Sequence, residues 1–222
     1  NYSMNISGGN DDYNLYFSSS YLDEKGYVIT SAFDRFTTRL NGNFKATRWL
    51  SVGGNMNAAM TNQVGPFKRG SSIGNPFGFA KNMGSVYPVY LIEPGTGNYI
   101  LDEGGKKQFD LGGGYSEFGI TSRPNNPDRH AIAEARWDSD KRMTNNLSSR
   151  YYAEVLVLPE LKLTVNYGID LNEYVNKEYE NHKVGDGAPT GRYSELRFRR
   201  TVQNFNQLLT YNKRRSEEHT SE

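Results

Sequence analysis

Three stretches of this chain alternate apolar and polar residues for about eleven or twelve positions without a break, a pattern that suits only a long β-strand with two unlike faces. In Leu50 to Thr61 the even positions are Leu50, Val52, Gly54, Met56, Ala58 and Met60. The odd positions are Ser51, Gly53, Asn55, Asn57, Ala59 and Thr61. A helical template fails here, because Leu50, Gly53, Gly54 and Asn57 make no apolar stripe. The preceding stretch places Phe36, Thr38, Leu40, Gly42, Phe44 and Ala46 on one face, with Thr37, Arg39, Asn41, Asn43 and Lys45 on the other. Later, Leu161, Leu163, Val165, Tyr167, Ile169 and Leu171 alternate with Lys162, Thr164, Asn166, Gly168, Asp170 and Asn172. Strands of soluble proteins average about 5–6 residues. About twelve residues at roughly 3.3 Å each, tilted near 45°, rise about 26 Å, the height of the apolar band of an outer-membrane barrel. Arg39, Lys45, Lys162 and Asp170 on the polar face suit a wet lumen better than a dry sandwich core.

Less regular strands cover Tyr2 to Ser7, Tyr13 to Leu22, Leu147 to Leu158 and Ser194 to Tyr211. In the last, Leu196 and Phe198 share one parity while Phe205, Leu209 and Tyr211 take the other. A bulge near Val202 or two shorter strands would account for that. The fold class is therefore all-β: an antiparallel meander of about seven long strands, an incomplete section of a transmembrane β-barrel with long extracellular loops. Connection lengths give a second argument. Gly8 to Asp12, Thr47 to Trp49 and Pro159-Glu160 read as short turns. The connections between them are longer, about 12 residues from Asp23, about 80 from Asn62 and about 18 from Asn176, and short turns on one rim with long loops on the other are the outer-membrane pattern. Within the long loop 62–146, which contains Pro66 and five further prolines, Asn75 to Met83 and His130 to Trp137 read as short helices.

Composition then removes whole classes of function. There are no cysteines, which excludes thiol nucleophiles and Cys-based zinc sites. The three histidines, His130, His182 and His219, show no metal-ligand spacing, so no metal and no cofactor are expected. With 26 Lys+Arg against 25 Asp+Glu, the net charge of +1 argues against a nucleic-acid partner. Gly112-Gly113-Gly114 has no strand–helix context for a phosphate loop and reads as a flexible loop. Glu93, Asp102, Glu103 and Asp110 read as solvated loop charges rather than a glycosidase pair. The loop aromatics Tyr87, Tyr90, Tyr99, Phe109, Tyr115 and Trp137 read as groups that hold the loop together. No nucleophile–base arrangement is present, and the protein is expected not to be an enzyme. Residues 215–222, RSEEHTSE, read as a non-native tail translated from a sequencing adapter, and 1–214 as an internal fragment of one barrel domain.

The ordered series Tyr21-Leu22-Asp23-Glu24-Lys25-Gly26, Phe33-Asp34-Arg35-Phe36, Arg39-Leu40-Asn41 and Trp49-Leu50-Ser51-Val52-Gly53-Gly54-Asn55 resembles the barrel of SusC/RagA-type TonB-dependent transporters. The likeness continues through Val86-Tyr87-Pro88-Val89-Tyr90, Arg150-Tyr151-Tyr152-Ala153-Glu154, Leu161-Lys162-Leu163 and Asn206 to Lys213. It implies a section of a 22-stranded outer-membrane barrel with a plugged lumen. It also implies import of oligosaccharides, sometimes peptides, a SusD-like surface lipoprotein as lid, and energy delivered by TonB through an upstream segment absent here. No ligand residue is carried over from the family. From the alternation, the lumen-facing, substrate-contacting candidates are Arg39, Asn41, Asn43, Asn55, Asn57, Asn166 and Asp170, with a role in wetting and selectivity. Rival readings are a siderophore receptor, a porin, or a secreted β-sandwich that binds polysaccharide.

Overall fold

The alternating segments all become strands, and each strand pairs with its neighbours in the sequence. The computed structural model describes residues 1–65 and 75–213; Pro66 and the tail 215–222 lie outside the described residues. Seven strands form one antiparallel sheet: β1 (Tyr2–Gly9), β2 (Tyr13–Lys25), β3 (Ala32–Lys45), β4 (Leu50–Val64), β5 (Ser139–Leu158), β6 (Leu161–Glu180) and β7 (Arg192–Tyr211). The sheet does not close on itself, since β1 pairs only with β2 and β7 only with β6. Residues 10–12, 46–49 and 159–160 turn at one rim; 26–31, 65–138 and 181–191 connect at the other. The short turns are closed by side chains that bond local amides. Asn10 Oδ1 accepts from the Asp12 and Tyr13 amides at 2.9 and 3.0 Å, and Thr47 Oγ1 from that of Leu50 at 3.0 Å.

Two expectations from the sequence need correction. The strands are longer than the alternation: β5, β6 and β7 have 20 residues each, and the long loop contracts to 65–138. β7 has neither a bulge at Val202 nor a break, because its register with β6 runs evenly from Leu161–Tyr211 to Glu180–Arg192. The register shift in this part of the sheet lies instead in β5, between Leu156 and Leu158. Both corrections have one physical cause. Period two is imposed only where the two faces of a strand meet unlike surroundings, and where both faces meet the same surroundings the ladder continues after the alternation has faded.

The outward rows show where that boundary lies. Leu40, Met56, Ser149 and Ile169 pair successively across β3 to β6, as do Thr38, Ala58, Leu147 and Leu171 one row above. On the same face Leu171 is followed by Glu173, opposite Arg199, and Lys177, opposite Glu195. Apolar neighbours thus give way to cross-strand charge pairs. Aromatic rows bracket the band, Tyr2–Tyr21–Phe36 toward the long-loop rim and Tyr13–Phe44 toward the short-turn rim, as interfacial girdles do.

The apolar face of the sheet is bare. Tyr2, Met4, Ile6, Leu15, Phe44 and Leu209 are all exposed, and among the described residues no second sheet covers them. That overturns the sandwich reading, which needs two inner faces packed together. Among the described residues no helix is long and apolar enough to cross a membrane.

Burial is concentrated at the long-loop rim instead. Among the described residues, the buried hydrophobic Leu91, Ile100, Ala133, Ala135 and Val184 lie in the connections, and only Val175 lies in a strand. The long loop holds α1 (Pro76–Asn82) and α2 (Ala131–Trp137), as its sequence predicted, and four isolated β-bridges including Tyr90–Phe109 and Leu101–Lys107. It locks to the 181–191 connection: Asp138 Oδ1 accepts from the Asn181 amide at 2.8 Å, Arg129 pairs with Asp186, and the Gly185 amide donates to Asp128 O at 3.2 Å. These two connections form a cap on the wall.

Candidate functional site

The inner face of the sheet is polar because the odd positions of β3 and β4 meet the even positions of β6 and β7. Arg39 stands opposite Asn57, Asn41 opposite Asn55, Asn55 opposite Arg150, Tyr152 opposite Asn166, and Asn166 opposite Asn206. These residues surround a concavity of about 820 Å³. Its curvature is visible in one contact: Tyr152 on β5 donates its hydroxyl to Asn43 Oδ1 on β3 at 2.9 Å, reaching across β4. Gly53 lies between them, and a Cβ there would come within 2.4 Å of Asn43 Oδ1 and 2.6 Å of the Tyr152 ring. A side chain at 53 would therefore displace both groups.

All seven residues singled out in the sequence lie on this face. Arg39, Asn41, Asn43, Asn55, Asn57 and Asn166 line the concavity, and Asp170 lines an adjoining one of about 400 Å³ that shares Asn57. Their bonding divides them. Asn43 donates to Asn14 Oδ1 at 3.0 Å and Asn166 to Asn206 Oδ1 at 2.9 Å. Asp170 accepts from Arg150 at 3.0 and 2.7 Å, a bidentate fork, and from Ser148 Oγ at 2.7 Å. Within the described residues the side chains of Arg39, Asn41, Asn55 and Asn57 make no hydrogen bond, so their donors and acceptors are available to whatever occupies the concavity. Such a wall can hold hydroxyls or amides by hydrogen bonds; it has no nucleophile beside a base. Sequence reasoning missed Arg150, Tyr152, Asn204 and Asn206. The first two carry the parity signal, but in a segment whose alternation is impure. The last two were obscured by the apparent phase change at Val202.

The cap residues act structurally. His130 caps α2: its Nδ1 accepts from the Ala133 amide at 3.1 Å, its Nε2 lies 3.0 Å from Val89 O, and its own amide donates to Glu134 Oε1 at 3.0 Å. Burial pushes the imidazole below its ordinary pKa and so favours the neutral ring this cap uses. Burial also raises the Tyr115 phenol. The glycine triplet has a fixed purpose at its first residue. Gly112 has φ of +82°, and a Cβ there would lie 2.1 Å from the buried Arg123 guanidinium. The loop carboxylates close turns: Glu93 accepts from Thr96, Asp102 from the Gly104 amide and Asp110 from the Gly112 amide. Tyr90, Phe109 and Trp137 pack on one another, with Tyr90–Phe109 ring centres 5.1 Å apart and Phe109–Trp137 5.5 Å.

A structure of the RagAB peptide importer in its closed-closed state superposes with a TM-score of 0.62 at 21% identity, covering 97% of this chain and 22% of that one. The fold is that of a RagA-type barrel wall. The open-open state of the same importer gives a TM-score of 0.60 over 94% of this chain at 19% identity. In sequence, the chain is 23% identical over 214 residues to TonB-dependent receptor P3 of Formosa agariphila, covering 96% of this chain, and 24% identical to TonB-dependent receptor P39 of the same organism, covering 97%. No family model matches. The resemblance to SusC/RagA-type TonB-dependent transporters stands, and the relatives are receptors and transporters rather than enzymes. The chain spans 20% and 18% of the lengths of the two receptors, so this RagA-type wall corresponds to about a fifth of such a protein.

Proposed function

We propose that the chain is part of the barrel wall of an outer-membrane nutrient importer. Its apolar face stands in lipid, its polar concave face lines the path of the substrate, and its cap faces the outside of the cell. One observation carries the reading: a single antiparallel sheet leaves the apolar rows of one face bare, while on the other face β3 to β6 carry mainly polar side chains around a concavity, an arrangement that is stable with lipid on one side and water on the other. The substrate is an oligosaccharide or a peptide. Arg39, Asn41, Asn43, Asn55, Asn57, Asn166 and Asp170 wet its path and contribute to selection among substrates. Tyr152 and Gly53 set the depth of that path. A SusD-like lipoprotein covers the outer mouth, and TonB supplies energy through a segment outside this chain. The likeness to TonB-dependent receptors and to the RagAB peptide importer supports this reading.

The test is fractionation of cells expressing the full-length protein. It should sediment with outer membranes, require detergent for extraction, and migrate differently on gels with and without boiling. A monomer recovered from the soluble fraction without detergent would reject the reading.

A further inference from the structure

The cap holds a second concavity, of about 770 Å³, that the wall does not share. Tyr90, Phe109 and Trp137 form its apolar side, all three half-buried. Lys107, Arg136 and Lys183 stand on aromatic faces around it. Lys107 Nζ lies 3.6 Å from the Tyr99 ring centre and 5.7 Å from that of Tyr90, Lys183 Nζ lies 5.1 Å from that of Trp137, and the Arg136 guanidinium carbon lies 5.7 Å from that of Phe109. An aromatic face steadies a long cationic side chain without neutralising it.

We propose that this cleft binds an anionic oligosaccharide, one carrying carboxylate or sulfate groups along its chain. The inference rests on the importer reading for one point only, the side of the membrane that the cleft faces.

Charge is the first argument. None of the three cations, nor Lys106 beside them, has a carboxylate partner among the described residues. Of the two acids at the cleft, Asp102 accepts from the Gly104 and Lys106 amides at 2.9 and 2.8 Å and keeps its charge, so Asp102 and Glu103 together face four cations. A chain with a net charge of +1 has thus concentrated unspent positive charge in one concavity.

Backbone chemistry is the second. The amide of Leu91 donates to Gln108 O, that of Gln108 to Ile100 O, and that of Ile100 to Leu91 O, at 2.9 to 3.0 Å. These three amides behind the cleft are paired within the cap and are not free to bond a peptide main chain. Side-chain cations and ring edges remain, and these match a sugar with anionic substituents on one side and C–H groups on another.

Position is the third. β5 runs eight residues beyond Leu147, the last of its regular apolar row, before reaching Ser139 and α2. At roughly 3.3 Å per residue and a tilt near 45°, that carries the cleft roughly 19 Å above the apolar band, clear of a headgroup layer about 5–8 Å deep. The phosphates of the membrane surface therefore lie below it.

The experiment uses the full-length protein in detergent and three probes: a chondroitin sulfate hexasaccharide, neutral maltohexaose and a hexaglutamate peptide. Calorimetry at about 50 mM NaCl should show the chondroitin probe binding at least about tenfold more tightly than either of the others, and losing about tenfold at about 300 mM salt. Lys107→Gln with Lys183→Gln should weaken it by about tenfold more, and Trp137→Phe should abolish the fluorescence change it causes. Equal binding of maltohexaose overturns the proposal, as does undiminished affinity in the double variant. Equal binding of hexaglutamate overturns it in favour of an acidic peptide. If the double variant does not assemble, the wild-type ranking of probes and the Trp137→Phe spectrum decide. Lost selectivity in a protein that still fractionates with outer membranes would sink this proposal alone.

Discussion

The wall and the cap of this protein are held together by opposite means. In the wall, stability comes from backbone ladders, and the apolar side chains of one face are left bare. In the cap the ladder is reduced to single bridges, and stability comes from a small buried core around Leu91, Ala133 and Val184, joined by side-chain bonds between distant segments. On the proposed reading the wall assembles only in lipid. The cap is built like a soluble miniature domain, its two connections tied together through Asp138 and Asn181.

Substitutions should separate the two. Leu91 is 1% exposed, so Leu91→Ala should cost the cap about 2–5 kcal/mol. Limited proteolysis should then cut within 75–137, while the boiled and unboiled gel positions stay as in the wild type. Damage to both at once would mean that cap and wall form one cooperative unit.

Leu40→Arg, which puts a cation in the lipid-facing row, should cost about 2–4 kcal/mol in urea unfolding from vesicles. Asn41→Arg, one residue along on the wet face, should change stability by less than about 0.5 kcal/mol. Similar costs at 40 and 41 would break the assignment of the two faces. Gly53→Ala should push Tyr152 away from Asn43, at a cost of about 1 kcal/mol for the lost bond. Its larger effect should be altered single-channel conductance or substrate uptake, because the depth of the concavity changes.

The smallest effect is a pH dependence confined to the cap. Unfolded, His130 takes a proton near pH 6.5. In the folded cap burial resists that proton, so the unfolded state binds more protons in the interval below. Cap stability is complete above about pH 6.5 and declines as pH falls through the depressed folded value. The protection factor of the Ala133 amide should fall from pH 7 to pH 5, and His130→Asn, which keeps a capping acceptor but does not titrate, should flatten the profile.

Much of the wall was legible in advance because the contrast between its two faces is written into the sequence locally. A side chain's parity along a strand reveals its face, so all seven candidates could be placed on one face from alternation, with Lys162 and Lys45 set apart from the apolar rows. The helices α1 and α2 were also legible, since Asn75 with Pro76, and His130 before an alanine-rich run, are local start signals.

What could not be read depends on residues far apart in the chain. The register that sets Asn43 within reach of Tyr152 joins positions 109 apart. The bond between Asp138 and Asn181 spans 43 residues, and it is what turns two loops into one cap. Leu196 and Phe198 imitated a break in β7 because, in that part of the strand, no contrast between the two faces forces either to be apolar. The sequence by itself therefore determined which side of each regular strand is apolar, through a preference every residue expresses alone. Tertiary structure alone decided how far the strands continue, how deep the wall curves, and which cations gather on the rings of the cap, because those outcomes belong to pairs of residues that only the folded chain brings together.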